Sequence, residues 1–319
     1  MPRKCMRQCD DRNGSAPRKI TSRQRRVQRM LAATVTKLQY WEQNKTRAEV
    51  IRNDLNQMNG SDFIFTQENS PVGRMYYNTY HRRAAKIDGS RRKLLPKVSP
   101  FSNTTLFRTC AVIGNGGVLK NSGCGKDIDS FDFVFRSNLQ PIKNYSTDAG
   151  MKTNMTSLNP SVIKLRFHHL KKQEHKTDLL KALKEYEGYL LWIPNSATIT
   201  TTMAFKAAKI IQEDTRLQIL LVDADHCRHF GKYWQIKRII STGMILVNIA
   251  ISLCEEIHVY GFWPFRMDVR GNPLLMHYTD DLKWSSYHYV HDYSREFTLL
   301  TKLHFDGVIK LHVNQCMES

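Results

Sequence analysis

Residues 109–138 read TCAVIGNGGVLKNSGCGKDIDSFDFVFRSN. A short apolar run, Cys110 to Ile113, runs into the glycine-rich turn Gly114-Asn115-Gly116-Gly117. A second run, FDFVFR, follows and stops at Arg136-Ser137-Asn138. Apolar runs this short, closed by turn residues, read as strands buried on both faces. Five more share that character: NMTSL (154–158), YLLWIP (189–194), LQILLV (217–222), EIHVYGF (256–262) and VIKLHV (308–313). Segments of helical periodicity lie between them, at 161–187, 202–213 and 244–255. Strands alternating with helices predict an α/β domain over residues 100–319, with a mostly parallel sheet and helices on both faces.

Residues 1–99 have a different character. Lys and Arg are frequent and strand-like runs scarce, which predicts a basic, stem-like segment. Val27, Met30, Leu31, Val35 and Leu38 recur at helical spacing and predict a helix over 22–59. A second basic cluster spans 81–97. The whole chain carries 48 Lys and Arg against 29 Asp and Glu, a formal charge of +19. Nucleic acid, an anionic membrane face, and acidic glycans or nucleotide-sugars all complement such a charge. No basic module interleaved with aromatics is present, so nucleic acid is not expected as a partner. A membrane span needs about 18 or more consecutive apolar residues. The best stretch here, 244–253, is shorter and contains Asn248 and Ser252. The opening residues lack a signal-peptide core. Seven cysteines and sequons at Asn13, Asn44, Asn59, Asn103, Asn144 and Asn154 nevertheless suggest passage through a secretory compartment.

Three places can carry chemistry. Glycines after a strand let a backbone come close to a ligand, and a following helix start offers N–H groups to an anion. The third glycine of a dinucleotide fingerprint would fall at Leu119. Arg136-Ser137-Asn138 stands where a ribose-binding Asp or Glu is expected. The turn therefore suits a nucleotide but lacks the dinucleotide signature; a purely structural turn reads the same way. Ser241-Thr242-Gly243 precedes the apolar helix MILVNIAISL and can cap it or hold a phosphate or carboxylate. Near the C-terminus, His277-Tyr278-Thr279-Asp280, His288-Tyr289-Val290-His291 and Glu296 bring together acid–base groups. Asp127/Asp129 and Asp223/Asp225 have the D-x-D spacing that can hold a divalent ion on a nucleotide-sugar. His226-Cys227-Arg228-His229 fits no closed zinc site, and no metal is expected.

Taken in order, these segments resemble the sialylmotifs of the animal sialyltransferases. The long motif runs from Cys110 to Ser161 through TCAVIGNGGVLKNSGCGKDID, FVFRSN, DAGMKTN and NPS. The short motif is KRIISTGMILVNIAISLCEEIHVYGFWPF, ending at Phe265. HYTD at 277–280 resembles the third motif, and His291 with Glu296 the very short one. The context LLPKVSP and LLWIP resembles the α-2,8 branch, particularly its oligo- and polysialyl members.

The resemblance implies a modified glycosyltransferase-A, Rossmann-like fold. It implies an inverting transfer of sialic acid from CMP-sialic acid to a hydroxyl of a sialylated glycoprotein or glycolipid, without metal or cofactor. Asn115, Gly116 and Asn138 would meet the donor's phosphate and nucleotide, with Asn159 and Ser161 nearby. Ser241, Thr242 and Gly243 would hold the sialic acid carboxylate, and Phe262 and Trp263 the cytidine pocket. His277 would stabilise the departing phosphate and His291 act as general base, with His288 as a local competitor. Disulfides Cys110–Cys254 and Cys124–Cys316 are implied, while Cys5, Cys9 and Cys227 receive no partner. The family is anchored in the Golgi membrane as type II proteins, so an anchor is expected although none is visible in this chain. Ser137, Thr279 and Asp292-Tyr293-Ser294 depart from the family's usual residues and leave acceptor preference open. An α-2,3 or α-2,6 linkage is the alternative activity; a basic, non-catalytic glycan- or nucleic-acid-binding protein is the alternative class. The basic clusters at 81–97 and between Lys206 and Arg238 are expected to attract an anionic acceptor.

Overall fold

The computed structural model describes residues 22–57, 63–77, 84–102, 105–193, 200–280, 282–286 and 290–316. All seven sequence-predicted strands are strands: β1 (Phe107–Ile113), β2 (Phe133–Arg136), β3 (Met155–Leu158), β4 (Tyr189–Trp192), β5 (Gln218–Leu221), β6 (Cys254–Tyr260) and β7 (Lys310–His312). They form one sheet in the order β5-β4-β3-β2-β1-β6-β7, parallel throughout. From β1 the chain builds outward to β5, then returns to add β6 on the other side of β1. The connections therefore reverse direction between β1 and β6.

Both faces of the sheet are buried, and alternate residues serve different cores as the pleat requires. Cys110 and Val112 of β1 join a core with Phe133, Phe135, Ile257 and Val259, whereas Ala111, Ile113, Val134 and Tyr260 face the other way. The first face is covered by α1 (Ser22–Lys37), α2 (Lys45–Gln57), Ala224–Tyr233, α3 (Thr242–Leu253) and α4 (Tyr293–Phe305). The second is covered by Gln173–Leu183 and Thr200–Asp214 together with shorter helices. Helix α3 is buried all round, from Met244 to Ile251, and for that reason is apolar all round rather than amphipathic.

Two long predicted helices are interrupted. The one over 22–59 becomes α1 and α2, because the Asn44 side chain accepts from Arg47 N (2.9 Å) and caps α2. Asn44 N also donates to Gly307 O (2.9 Å), fastening the break to the turn before β7. The one over 161–187 breaks between Pro160–Leu165 and Gln173–Leu183, where His168, His169 and Leu170 take left-handed φ of 45°, 60° and 53°. The change of composition near residue 100 is not a gap in the packing. Leu31, Val35, Leu38, Ala48, Ile51 and Leu55 belong to the same core as β1. Arg52 donates to Ile251 O (2.8 Å) and Cys254 O (2.6 Å), tying α2 to the C-terminal end of α3.

Both expected disulfides are present, Cys110–Cys254 across β1 and β6, and Cys124–Cys316. Cys227 is a buried free thiol, pushed up to about 12 by desolvation. Cys5 and Cys9 lie outside the described residues, as do the sequons at Asn13, Asn59 and Asn103. Asn44 and Asn144 are exposed. Asn154 is different: its side chain accepts from Val134 N (2.9 Å), and Thr156 of the same sequon is fully buried in β3. No helix among the described residues is long and apolar enough to cross a membrane.

Candidate active site

In an open parallel sheet, ligands lie beyond the carboxyl ends of the strands where the connections reverse. Here that point falls between β1 and β6, and the glycine turn Gly114–Gly117 leaves β1 into it. Gly114 N donates to Tyr260 O (2.8 Å) and Gly116 N to Gly261 O (2.9 Å), so the turns after β1 and β6 are laced together. A Cβ on Gly114 or Gly116 would stand 2.7 or 2.6 Å from Gly261 O, and Gly261 itself has φ +73°. These glycines are thus demanded first by the approach of two protein backbones. The resulting flat, laced turn is what Asn115 projects from.

The HYTD segment docks on the same turn. Gly117 N donates to Met276 O (3.2 Å) and Tyr278 N donates to Asn115 O (3.0 Å), which places His277 between them beside Gly116. Tyr278 is buried, its hydroxyl donating to Pro141 O (3.1 Å), and Thr279 donates to Gln140 Oε1 (2.7 Å). Thr279, one of the departures, is therefore an anchor for this loop.

At the other side of the site, Ser241 caps α3: its side chain accepts from Met244 N (3.2 Å). The two members of the H-x-x-x-x-E pattern grip the approach to that cap. His291 Nδ1 lies 2.8 Å from Ile239 O, and Glu296 Oε1 accepts from Ser241 N at 2.7 Å. The spacing has a local cause. Asp292 is the N-cap of α4, accepting from Arg295 N (3.1 Å); His291 precedes the cap, and Glu296 sits one turn inside. Because a carbonyl oxygen only accepts, the His291–Ile239 contact puts the imidazole proton on Nδ1 and leaves Nε2 with its lone pair. Burial lowers the His291 pKa from its usual value, which favours the neutral ring. Burial raises Glu296 to about 7.

All twelve of the anticipated catalytic and donor-site residues line one cavity. Asn115, Gly116 and Phe262–Trp263 come from the two laced turns, Asn138 from the end of β2, and Asn159 and Ser161 from the end of β3. Ser241–Gly243 come from the start of α3, and His277 and His291 from the loops above. Asn159 donates through Nδ2 to Thr242 Oγ1, joining the end of β3 to α3. His288 lies outside the described residues. Among the lining residues to which sequence reading gave no site role are Ser137, Met276, Trp284 and Tyr293. Trp284 is pinned by a bond from Nε1 to Leu274 O (2.6 Å), and the Tyr293 ring stands edge-on to His291, 5.3 Å between centroids. Tyr293 and Ser137 carried a signal, since both sit where the chain leaves the motif pattern.

The D-x-D pairs have other employment. Asp129 accepts from Met151 N and Lys152 N (2.8 Å each), and Asp223 caps the helix Ala224–Tyr233 and pairs with Arg74 at 2.7 Å. Arg136, although it ends β2 at the site, is 3% exposed and spent on Ala149 O, Lys152 O and Thr153 Oγ1. In the cluster at 81–97, Arg91 and Arg92 tie down Lys86 O and Gln67 O, leaving Lys93 and Lys97 exposed. Residues 81–83 lie outside the described residues.

The family model of glycosyltransferase family 29 (sialyltransferase) matches residues 52–308. The chain belongs to this family. Curated relatives agree on the branch. It is 35% identical over 263 residues to alpha-2,8-sialyltransferase 8F of Mus musculus, covering 80% of this chain and 65% of that protein. It is 36% identical over 287 residues to alpha-2,8-sialyltransferase 8E of Rattus norvegicus, covering 86% and 75%. It is 34% identical over 287 residues to alpha-N-acetylneuraminide alpha-2,8-sialyltransferase of Xenopus tropicalis, covering 86% and 81%. Among solved structures, a mammalian sialyltransferase superimposes with a TM-score of 0.55 at 22% identity, over 79% of this chain and 89% of that one, and shares the fold.

In this sialyltransferase Glu296 has a testable structural duty. Glu296→Ala leaves Ser241 N unpaired beneath α3, at a cost of about 1–3 kcal/mol. Glu296→Gln keeps an acceptor oxygen in place. Thermal melts are expected to show the alanine variant well below wild type and the glutamine variant close to it.

Proposed function

We propose that this sialyltransferase moves sialic acid from CMP-sialic acid to a hydroxyl of an acceptor glycan that already ends in sialic acid, making an α-2,8 linkage. The observation that carries this reading is the neutral His291. Its Nδ1 proton is committed to Ile239 O, which leaves Nε2 as the accepting nitrogen of a ring that lines the cavity shared by the β1 turn and the α3 N-terminus.

In this reading His291 Nε2 takes the proton of the acceptor hydroxyl as its oxygen attacks C2 of the sialic acid. The bond from C2 to the phosphate oxygen breaks, the electron pair leaves with CMP, and the configuration at C2 inverts. His277 and the N–H groups at the start of α3 stabilise the phosphate and the sugar carboxylate, a role suited to a helix N-terminus. A nucleoside monophosphate leaves with modest charge, so the proposal assigns no metal and no cofactor beyond the donor. The chain's formal charge of +19 supports an anionic acceptor, glycoprotein or glycolipid. A Golgi-luminal, membrane-anchored setting follows from the family and is part of the proposal.

The test is incubation of the chain with CMP-sialic acid and a panel of sialylated and asialo acceptors, followed by linkage analysis. An α-2,8-linked disialyl product is expected. Product linked α-2,3 or α-2,6 to galactose or N-acetylgalactosamine on asialo acceptors overturns the linkage, and absence of both transfer and donor hydrolysis overturns the activity.

A further inference from the structure

The floor of the cavity holds polar atoms that the protein leaves without partners. Ser137 is 4% exposed, yet its Oγ makes no hydrogen bond, and the neighbouring Asn138 Oδ1 is likewise buried and unpaired. A buried polar atom without a partner costs about 1–3 kcal/mol, so two on adjacent residues call for a cause. Both backbone N–H groups here are engaged. Ser137 N donates to Ile113 O (3.2 Å), and Asn138 N donates to Ser157 Oγ (3.0 Å). Asn138 takes φ +59°, a left-handed conformation that asparagine tolerates. Ser137 Oγ and Asn138 Oδ1 are left open, and both residues line the cavity.

Their position says what they face. Ser137 follows the end of β2, which pairs with β1 so that Arg136 lies opposite Ile113 and Ser137 lies beside the glycine turn. In nucleotide-binding sheets of this type, an acidic residue at the end of the second strand, about 20 residues beyond the glycine turn, holds a ribose hydroxyl. Here that place carries no acid. It carries a hydroxyl and an amide oxygen, both able to pair with a sugar O–H and neither bearing charge.

We infer that Ser137 Oγ, with Asn138 Oδ1 beside it, binds the ribose hydroxyls of the nucleotide and replaces the carboxylate used in dinucleotide sites. This rests on the donor being a cytidine nucleotide. Ser137 is then a donor-binding residue that sets the preference for ribose over deoxyribose.

The test uses the full chain and calorimetric titration with CMP, 2′-deoxy-CMP and 3′-deoxy-CMP, on wild type, Ser137→Ala and Ser137→Cys. Wild type is expected to bind CMP about tenfold more tightly than at least one deoxy analogue, a difference of about 1.4 kcal/mol. Ser137→Ala should lose about tenfold on CMP and almost nothing on that analogue, so that its preference collapses. Ser137→Cys should fall between. Because the hydroxyl has no protein partner, neither variant should melt below wild type. A lowered melting temperature with the ribose preference unchanged would show a structural serine and overturn the inference. The same preference in wild type and Ser137→Ala overturns it too, while leaving the donor assignment intact. Failure of wild type to bind CMP at all overturns both.

Discussion

Replacing His291 by alanine lowers kcat for sialic acid transfer by about 10²–10⁴, the range for loss of a positioned general base, while CMP still binds. The split follows from where the ring sits. It touches Ile239 through Nδ1 and lines the cavity from the loop before α4, whereas in the proposed reading the nucleotide is held from the β1, β2 and β6 turns. Loss of the imidazole also frees Ile239 O, yet Glu296 still holds Ser241 N, so the cap of α3 survives. The pH profile supplies a second check. Burial lowers the His291 pKa, which keeps the base form present below the ordinary histidine value. The acid limb of kcat/KM is therefore expected to fall below pH ~6.5. Transfer that persists in His291→Ala moves the base to another group, and an acid limb well above 6.5 shows that the ring is not held neutral.

The second large effect is expected from the bond between Cys110 and Cys254. It joins residues separated by 144 positions, and loops of that length are stabilised by about 2–5 kcal/mol when a native disulfide is kept. Both cysteines are fully buried on neighbouring parallel strands, β1 and β6, whose far ends make the two laced glycine turns. A double Cys110→Ser/Cys254→Ser variant also buries two hydroxyls in an apolar core, which adds to the cost. We expect a fall in melting temperature of roughly 10 °C or more. CMP binding should weaken as well, because the strands that carry Gly114 and Gly261 lose their covalent tie. An unchanged melting temperature in non-reducing buffer would mean that the bond is not formed in the folded protein.

The fold was legible because its signals are local. Each strand of the sheet is a short apolar run ended by a turn, and both faces are buried, so no polar alternation obscures the run. The breaks in the two long helices were less legible. Asn44 caps α2 through its side chain, but what fastens the break there is its backbone bond to the distant Gly307, and the left-handed turn at His168–Leu170 has no glycine to announce it. The N-terminal segment misled in a similar way. Its basic surface residues are what composition sees, whereas Leu31, Val35, Ile51 and Leu55 face a core assembled from strands more than fifty residues further along the chain.

For the site, residue types and order pointed to a nucleotide and to histidine chemistry, but not to what each residue does there. Gly114 and Gly116 read as room for a ligand, and the structure shows them making room for Gly261. Asp129 and Asp223 have a spacing that can hold a divalent ion, although no metal was expected, and the structure spends them on backbone N–H groups and on Arg74.

By itself the sequence determined the succession of strands and helices, a strongly basic charge balance and the set of residues that could do the chemistry. Those depend on local periodicity, charge and residue type. Only the tertiary structure decided which nitrogen of His291 is free, why Glu296 must follow it by five residues, and that Ser137 is left without a partner. Each of these turns on a hydrogen bond made, or not made, between segments far apart in the chain, and no local pattern encodes that.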